Sequence, residues 1–494
     1  MSSKHLPSQQ TRKANIMNRL NQAIVTAFGI TLMLEACSMA PAMKTPEVPV
    51  AANYKETPAW MVGTDGMVAK PADELPRGAW WKVYGDAELD ALEERLIANN
   101  PDLAAAVAHY AQAEAFSRQL RSSLFPSLDG TANAQRLRQS ENRPLRSATS
   151  PNEYNDYSIG VQASYEVDLW GRVSNLVKSG KATAQAEKAD LESTRLSLQA
   201  QLAQNYIALR GIDQQVALLG DTVAAYRKAL DLTKVRHDNG IAPGLDVARA
   251  ETQYQTAQSQ VEQSLAQRAL AEHAIAALVG ASVSEFSIAS RVDEIAVPAI
   301  PLGVPSTLLQ RRPDIASAQR RVESANASVG VAKAAFFPSL TLGAGLGLES
   351  ASASNWLTAP STFWAIGPSV LLNLFDAGKR KAQVVQAQAV LDETGANYRG
   401  VVIGAFQQVE DNLALLNHYT KAAESQQSAA AAAKQSEDFS ISRYRQGAAS
   451  YLEVTASQTA ALQTQRDLLD LNTRRLQASV QLIRALGGGW ADPS

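Results

Sequence analysis

Residues 100–128 read NPDLAAAVAHYAQAEAFSRQLRSSLFPSL, and residues 312–340 read RPDIASAQRRVESANASVGVAKAAFFPSL. Pro101-Asp102 recurs as Pro313-Asp314, and Phe125-Pro126-Ser127-Leu128 recurs as Phe337-Pro338-Ser339-Leu340, both 212 positions on, so no gap separates them. Matching alanines mean little in an Ala-rich stretch; the two ends carry the signal. Gly171, Gly240, Leu245 and Val247 recur as Gly378, Gly447, Leu452 and Val454, 207 positions on. Five residues (212 − 207) are therefore lost between Leu128 and Gly171 in the second copy. That interval holds the polar, Pro-bearing stretch 139–153, and surface loops tolerate such changes. The body of the chain reads as a tandem duplication.

Each copy carries long helices. No proline interrupts 172–239, and a seven-residue stride runs through Leu191, Leu198, Asn205, Ile212, Leu219 and Tyr226. Its companion is Arg195, Leu202, Leu209, Val216, Val223 and Leu230, and two such strides make a coiled-coil seam. The second copy repeats the pattern over 379–444. Gly240 and Gly447 stop the two helices, and new helices are predicted over 245–280 and 451–486. Each copy also carries two strands. Leu340, Leu342, Ala344, Leu346 and Leu348 alternate with small or polar residues, and Trp364, Ile366, Val370, Leu372 and Leu374 give a second apolar face interrupted by Pro368. In the first copy Ile159, Val161, Ala163, Tyr165, Val167 and Leu169 alternate likewise, while 128–137 alternates poorly. Period two over about ten residues is the mark of a barrel strand, and equally of a half-buried soluble sheet.

The formal net charge of −2 and pI near 6.3 supply no basic field for nucleic acid. Mean hydropathy is −0.17, and no apolar run reaches the ~18 residues a spanning helix needs. A membrane crossing would therefore use strands. Four strands cannot close a barrel, and open edges are not tolerated in lipid, so chains would have to pool them.

Cys37 is the single cysteine, which rules out an internal disulfide. It follows the apolar stretch 23–34, itself preceded by Arg12, Lys13 and Arg19, in the order of a secretory signal. Leu34-Glu35-Ala36-Cys37 resembles a bacterial lipobox, with Glu35 where a small or apolar residue is usual. Met17 would start a more compact signal. Ser38, rather than Asp, fits outer-membrane sorting of lipoproteins. The Pro-rich stretch 38–77 reads as an extended tether.

Motifs that suggest chemistry have simpler readings. The five histidines lack metal-ligand spacing, and the glycines of 343–347 alternate inside a strand instead of opening a helix. Arg311-Arg312 sits at a helix start, and Glu93-Glu94 reads as a solvated helical face. No nucleophile stands beside a base. No enzyme, cofactor or metal site is expected, and with every methionine at or before Met67 no thioether path for Cu(I) crosses the body.

The chain resembles the TolC-like outer-membrane efflux proteins, and among them the OprM or NodT-type lipoproteins, over nearly everything after Cys37. Trp80-Trp81, Gly85-Asp86, Asn100-Pro101-Asp102-Leu103, Phe125-Pro126-Ser127-Leu128 and 166–172 (EVDLWGR) carry the resemblance in the first half. Arg311-Arg312-Pro313-Asp314-Ile315, Phe336-Phe337-Pro338-Ser339-Leu340, Phe375-Asp376-x-Gly378 and Arg443-Tyr444-x-x-Gly447 carry it in the second. The resemblance implies an α+β membrane protein: a homotrimer with a 12-stranded transmembrane β-barrel, four strands per chain, continued by a periplasmic coiled-coil tunnel. It implies a passive exit duct for drugs or other small organic compounds, lipid-anchored in the Gram-negative outer membrane. Its implied partners are a periplasmic adaptor and an inner-membrane pump of RND type. The expected segments are a signal peptide 1–36, a lipid-anchored stretch 37–78, repeats 79–280 and 305–486, an equatorial linker 281–304 and a tail 487–494.

The same resemblance implies a gate at the periplasmic tip, opened by helix untwisting, with Tyr444, Ser450 and Leu452 at the aperture. The family's Asp-Ala-Gln-Arg run is replaced by Ala456-Ser457-Gln458-Thr459. Leu452 is then expected to give an apolar ring, and Asp246, Arg249 and Glu453, with Glu251 nearby, a weaker polar lock. A duct for metal ions or secreted proteins, and a non-channel coiled-coil adaptor or structural protein, stay open as alternatives.

Overall fold

The computed structural model describes residues 38–49, 53–56, 78–298, 300 and 311–488, apart from a few positions within 143–150. Cys37, the signal, most of the stretch to 77, the end of the linker and the tail beyond 488 lie outside the described residues. After a 3₁₀ turn at Trp80–Tyr84 come α1 (Ala87–Asn99), α2 (Pro101–Ser122), β1 (Ser127–Arg138) and β2 (Glu153–Val167). Then follow α3 (Arg172–Asp238), α4 (Gly244–Leu278), α5 (Pro313–Ala334), β3 (Ser339–Ser350), β4 (Thr362–Leu371), α6 (Lys379–Arg445) and α7 (Tyr451–Ala485).

The two halves repeat in length as well as in order. Helices α2 and α5 each have 22 residues, α3 and α6 each 67, and α4 and α7 each 35. At 1.5 Å per residue the longest run ~100 Å. Repeated contacts accompany the lengths. Asn100 Nδ2 donates to the Leu278 carbonyl (2.8 Å), and its counterpart Arg312 donates to the Ala485 carbonyl (2.9 Å), so each half ties the end of its last helix to the start of its 22-residue helix. Gly280 and Gly487 have positive φ (65° and 92°), and a Cβ on either would run into the backbone of Asn99 or Arg311.

The chain divides into two compact units. One takes residues up to Thr45, Gln112–Gln185 and Arg320–Ala396, and contains the sheet. Its four strands are antiparallel in the order β1-β2-β3-β4. β1 is regular despite its poor alternation, and β4 runs through Pro368 without a break, as an edge strand can. The other unit takes Pro46–Ala111, Ala186–Gln319 and Asn397–Ser494 and holds the largest core. Leu191, Leu198, Leu202, Leu209, Leu219, Tyr226 and Leu230 of the expected seam are buried. So are Ala203, Tyr206 and Ile207, because α3 packs on more than one side.

Candidate functional site

In the sheet unit, register sorts the strands into two faces, since directly opposed residues point the same way. Val161 pairs with Leu346, and Leu346 with Trp364; Ala163 pairs with Ala344, and Ala344 with Ile366. The alternate set is polar or small: Asp129 opposes Gln162, which opposes Gly345. The apolar face is bare, with Trp364 72% and Ile366 75% exposed and Leu128, Leu346 and Val370 likewise outside. Water-exposed proteins rarely carry such a patch. Among the described residues, β1 and β4 pair on one side only.

Aromatic side chains collect where these strands meet the helices. The Trp170 ring stacks on Phe337 (centroids 4.7 Å apart), and its Nε1 donates to the Pro338 carbonyl (2.8 Å). Phe125, Phe336 and Phe375 are exposed at the same ends of the strands. An apolar band ending in an aromatic girdle is how a barrel strand meets the membrane interface.

In the helical unit, the tips of hairpins α3–α4 and α6–α7 hold the gate candidates. Tyr444 is buried, edge-on to Tyr451 (5.3 Å, 65°), within a cluster that includes Leu230, Ala250 and Val454. Burial pushes the Tyr451 phenol up to about 12, so it stays neutral. The Arg236 guanidinium lies 4.7 Å from the Tyr444 ring centroid and donates to the Tyr444 carbonyl (2.7 Å), joining the two hairpins. Ser450 caps α7 and closes a capping box with Glu453. Leu452 is 54% exposed.

Within one chain the charged gate candidates have local partners. Asp246 pairs with Arg249 on its own helix (3.7 Å), Glu251 with Lys234 of the same hairpin, and Glu453 with Arg443 (3.7 Å). Among the described residues no ion pair crosses between the tips, where Arg236 and the tyrosines make the connection instead. Arg236 escaped the sequence reading, although it is the 207-residue counterpart of Arg443, at the head of the Arg-Tyr-x-x-Gly motif.

A second assembly, equally unread, holds residues 288–291, which form no regular structure. Asp213, fully buried, accepts from Arg210 (2.9 Å), Arg268 (2.6 Å), Ser290 Oγ (3.0 Å) and the Arg291 amide (3.2 Å). Arg210 and Arg268 donate onward to the Ala289 and Ile288 carbonyls. Asp86 caps α1 and binds Tyr206 and Arg291. Burial opposes its ionisation, but the Leu89 amide, Tyr206 hydroxyl and Arg291 guanidinium together hold its carboxyl below the usual range. Charge-assisted bonds of this kind replace the ladder that the linker lacks.

Glu93 corrects the expectation of a solvated acidic pair. Glu94 is exposed, but Glu93 is 0% exposed and neither of its carboxylate oxygens has a hydrogen-bond partner among the described residues. Burial, then the neighbouring Asp90 charge, raises its pKa well above normal.

Known proteins agree with this architecture. The outer membrane efflux protein family profile matches residues 92–281 and again 304–488. The pyoverdine export outer membrane protein OpmQ of Pseudomonas aeruginosa is 32% identical over 478 residues, 96% of this chain and 98% of that protein. The toluene efflux pump outer membrane protein TtgC of Pseudomonas putida is 30% identical over 467 residues, 94% of each chain. Among solved structures, the outer-membrane channel OprN superposes with a TM-score of 0.84 at 27% identity, covering 92% of this chain and all of that one. The chain belongs to the outer membrane efflux protein family.

Proposed function

We propose that this chain is the exit duct of a tripartite efflux pump, closed at rest by its helix tips. The sheet carries the proposal: a bare apolar face and two open edges suit a membrane only when copies complete one another. Three copies supply twelve strands for one barrel, and their long helices line a passage on the periplasmic side. A periplasmic adaptor and an inner-membrane pump of RND type supply the energy and select the cargo. Relatives named for pyoverdine and toluene support small organic cargo. The duct itself performs no chemistry. Cys37 carries the lipid.

Arg236 and Tyr444 form the resting latch. A guanidinium over an aromatic face is held more tightly as water is excluded, so the buried Tyr444 ring favours closure until an adaptor draws the hairpins apart. Leu452 adds an apolar constriction. Purified protein should migrate as a heat-modifiable trimer and give small resting conductance in planar bilayers. A soluble monomer without conductance would overturn the proposal.

A further inference from the structure

Residues 38–41 lie in a groove of the sheet unit between the start of α3 and the middle of α5. Ser38 Oγ donates to Asn175 Oδ1 (3.0 Å), and Asn326 Nδ2 donates to the Pro41 carbonyl (3.0 Å). Gly330 makes room for the segment, because a Cβ there would come within 2.8 Å of the Ala40 nitrogen. Asn175 is 1% exposed, yet its Nδ2 has no partner among the described residues. It lines a cavity of about 550 Å³ shared with Ser38, Ala40, Met43, Lys178 and Lys181. Asn175 stands in the first turn of α3, eight residues after the end of β2. Only the four residues 168–171 separate the end of β2 from the start of α3, so the groove lies at the strand-end side of that helix.

We propose that this groove is a docking seat for the acylated N-terminus, with Asn175 Nδ2 donating to an acyl carbonyl of the lipidated Cys37. The inference rests on the lipidation of Cys37. Three observations lead to it. Consecutive Cα atoms are ~3.8 Å apart, so residue 37 cannot stray far from the amide that holds Ser38. A buried amide donor costs free energy unless it finds an acceptor, and amide- or ester-linked acyl chains carry carbonyls. Lys178 and Lys181, exposed and without ion-pair partners among the described residues, give the same cavity a cationic border suited to phosphate headgroups. The second half cannot host such a seat: the counterparts of Asn175 and Asn326 are Ala382 and Glu114. The seat thus fixes one entry point for the lipid, beside the strand ends.

The test is tryptic cleavage after the exposed Lys44 in outer-membrane vesicles, timed by mass spectrometry of the body that begins at Thr45, with palmitate labelling followed in parallel. The same chain exported by a cleavable non-lipoprotein signal with Cys37→Ala serves as the unacylated reference. Asn175→Leu should speed cleavage about tenfold in the acylated protein, as loss of a buried hydrogen bond predicts, and clearly less in the reference. Asn326→Ala, which removes only the bond to Pro41, should speed it in both. Equal effects of Asn175→Leu in both backgrounds would overturn the acyl contact, and no effect of Asn326→Ala would overturn the seat. Absence of palmitate from the wild-type chain would overturn lipidation, while the Asn326→Ala result would still report on the groove.

Discussion

The tips of hairpins α3–α4 and α6–α7 share a backbone and differ in chemistry. Both stop at a glycine of positive φ, Gly240 (73°) and Gly447 (78°), and both close with an amide bonded back to an arginine carbonyl, Ile241 to Arg236 and Ala448 to Arg443. The side chains then part company. In the first tip His237 Nδ1 meets its own Ala242 carbonyl (2.8 Å), and α4 opens after Pro243 with no side-chain cap. In the second, Tyr444 turns inward onto Tyr451, and Ser450 with Glu453 closes a capping box. Arg443 binds its own Ala448 carbonyl (3.1 Å), whereas Arg236 reaches into the other hairpin. The two tips share their stop and differ in role: Arg236 of the first donates, and Tyr444 of the second receives, the contact between them.

Exchanging these roles tests the contrast, and the largest effect should come from the receiver. Tyr444→Ala removes the ring between Arg236 and Tyr451, and resting conductance in planar bilayers should rise by about tenfold or more, in line with loss of an aromatic pair and a cation–π contact. Arg236→Ala should raise conductance several-fold, with Arg236→Lys between it and wild type because an ammonium lacks the planar face. Arg443→Ala should leave conductance near the resting value; equal opening by both arginine variants would erase the asymmetry.

The next effect concerns pH, and sets Glu93 against Glu94 on one helix. With its pKa raised by burial, Glu93 supports the fold fully below the unfolded carboxyl value, and that contribution is lost as pH rises through the folded value. Glu93→Gln should therefore raise Tm at pH 8, by an amount that shrinks toward pH 4, while Glu94→Gln should do neither in thermal scans. A smaller loss, about 1 kcal/mol of stability in denaturant titrations, is expected for Ser450→Ala as its cap disappears. Smallest of all is Asp246→Ala. Its pair with Arg249 is partly exposed and local, so stability should move by less than about 0.5 kcal/mol and conductance not at all. A leak in that variant would favour the polar lock over the aromatic latch.

Periodicity made the long helices and the strands legible. The expected helix 172–239 differs from α3 by one residue at its end, because the stop depends on a local feature, Gly240 in the left-handed region. What stayed hidden depends on partners distant in sequence. Arg291 finds Asp86 across 205 positions, and no pattern in either segment announces the other. Arg210 and Asp213 gave a fainter sign: a charged i, i+3 pair beside Leu209 and Ile212 on an apolar seam implies burial with compensation. Arg236 was hidden differently. An arginine in the last turn of a helix has a ready local use on the terminal carbonyls, and only tertiary packing diverted it to Tyr444.

The two open edges of the sheet have a genetic consequence. If three chains each lend an edge to the next, a chain that folds but carries a ruined β1 or β4 edge spoils every ring it enters. When such chains make up half of the pool and mix at random, only roughly one ring in eight contains none, as expected for a heterologous ring of three. A proline placed at a pairing position of β1 should therefore act dominantly over the wild-type allele, while a truncated chain without the sheet should be recessive. A defect inherited in that pattern would reveal the ring through heredity alone.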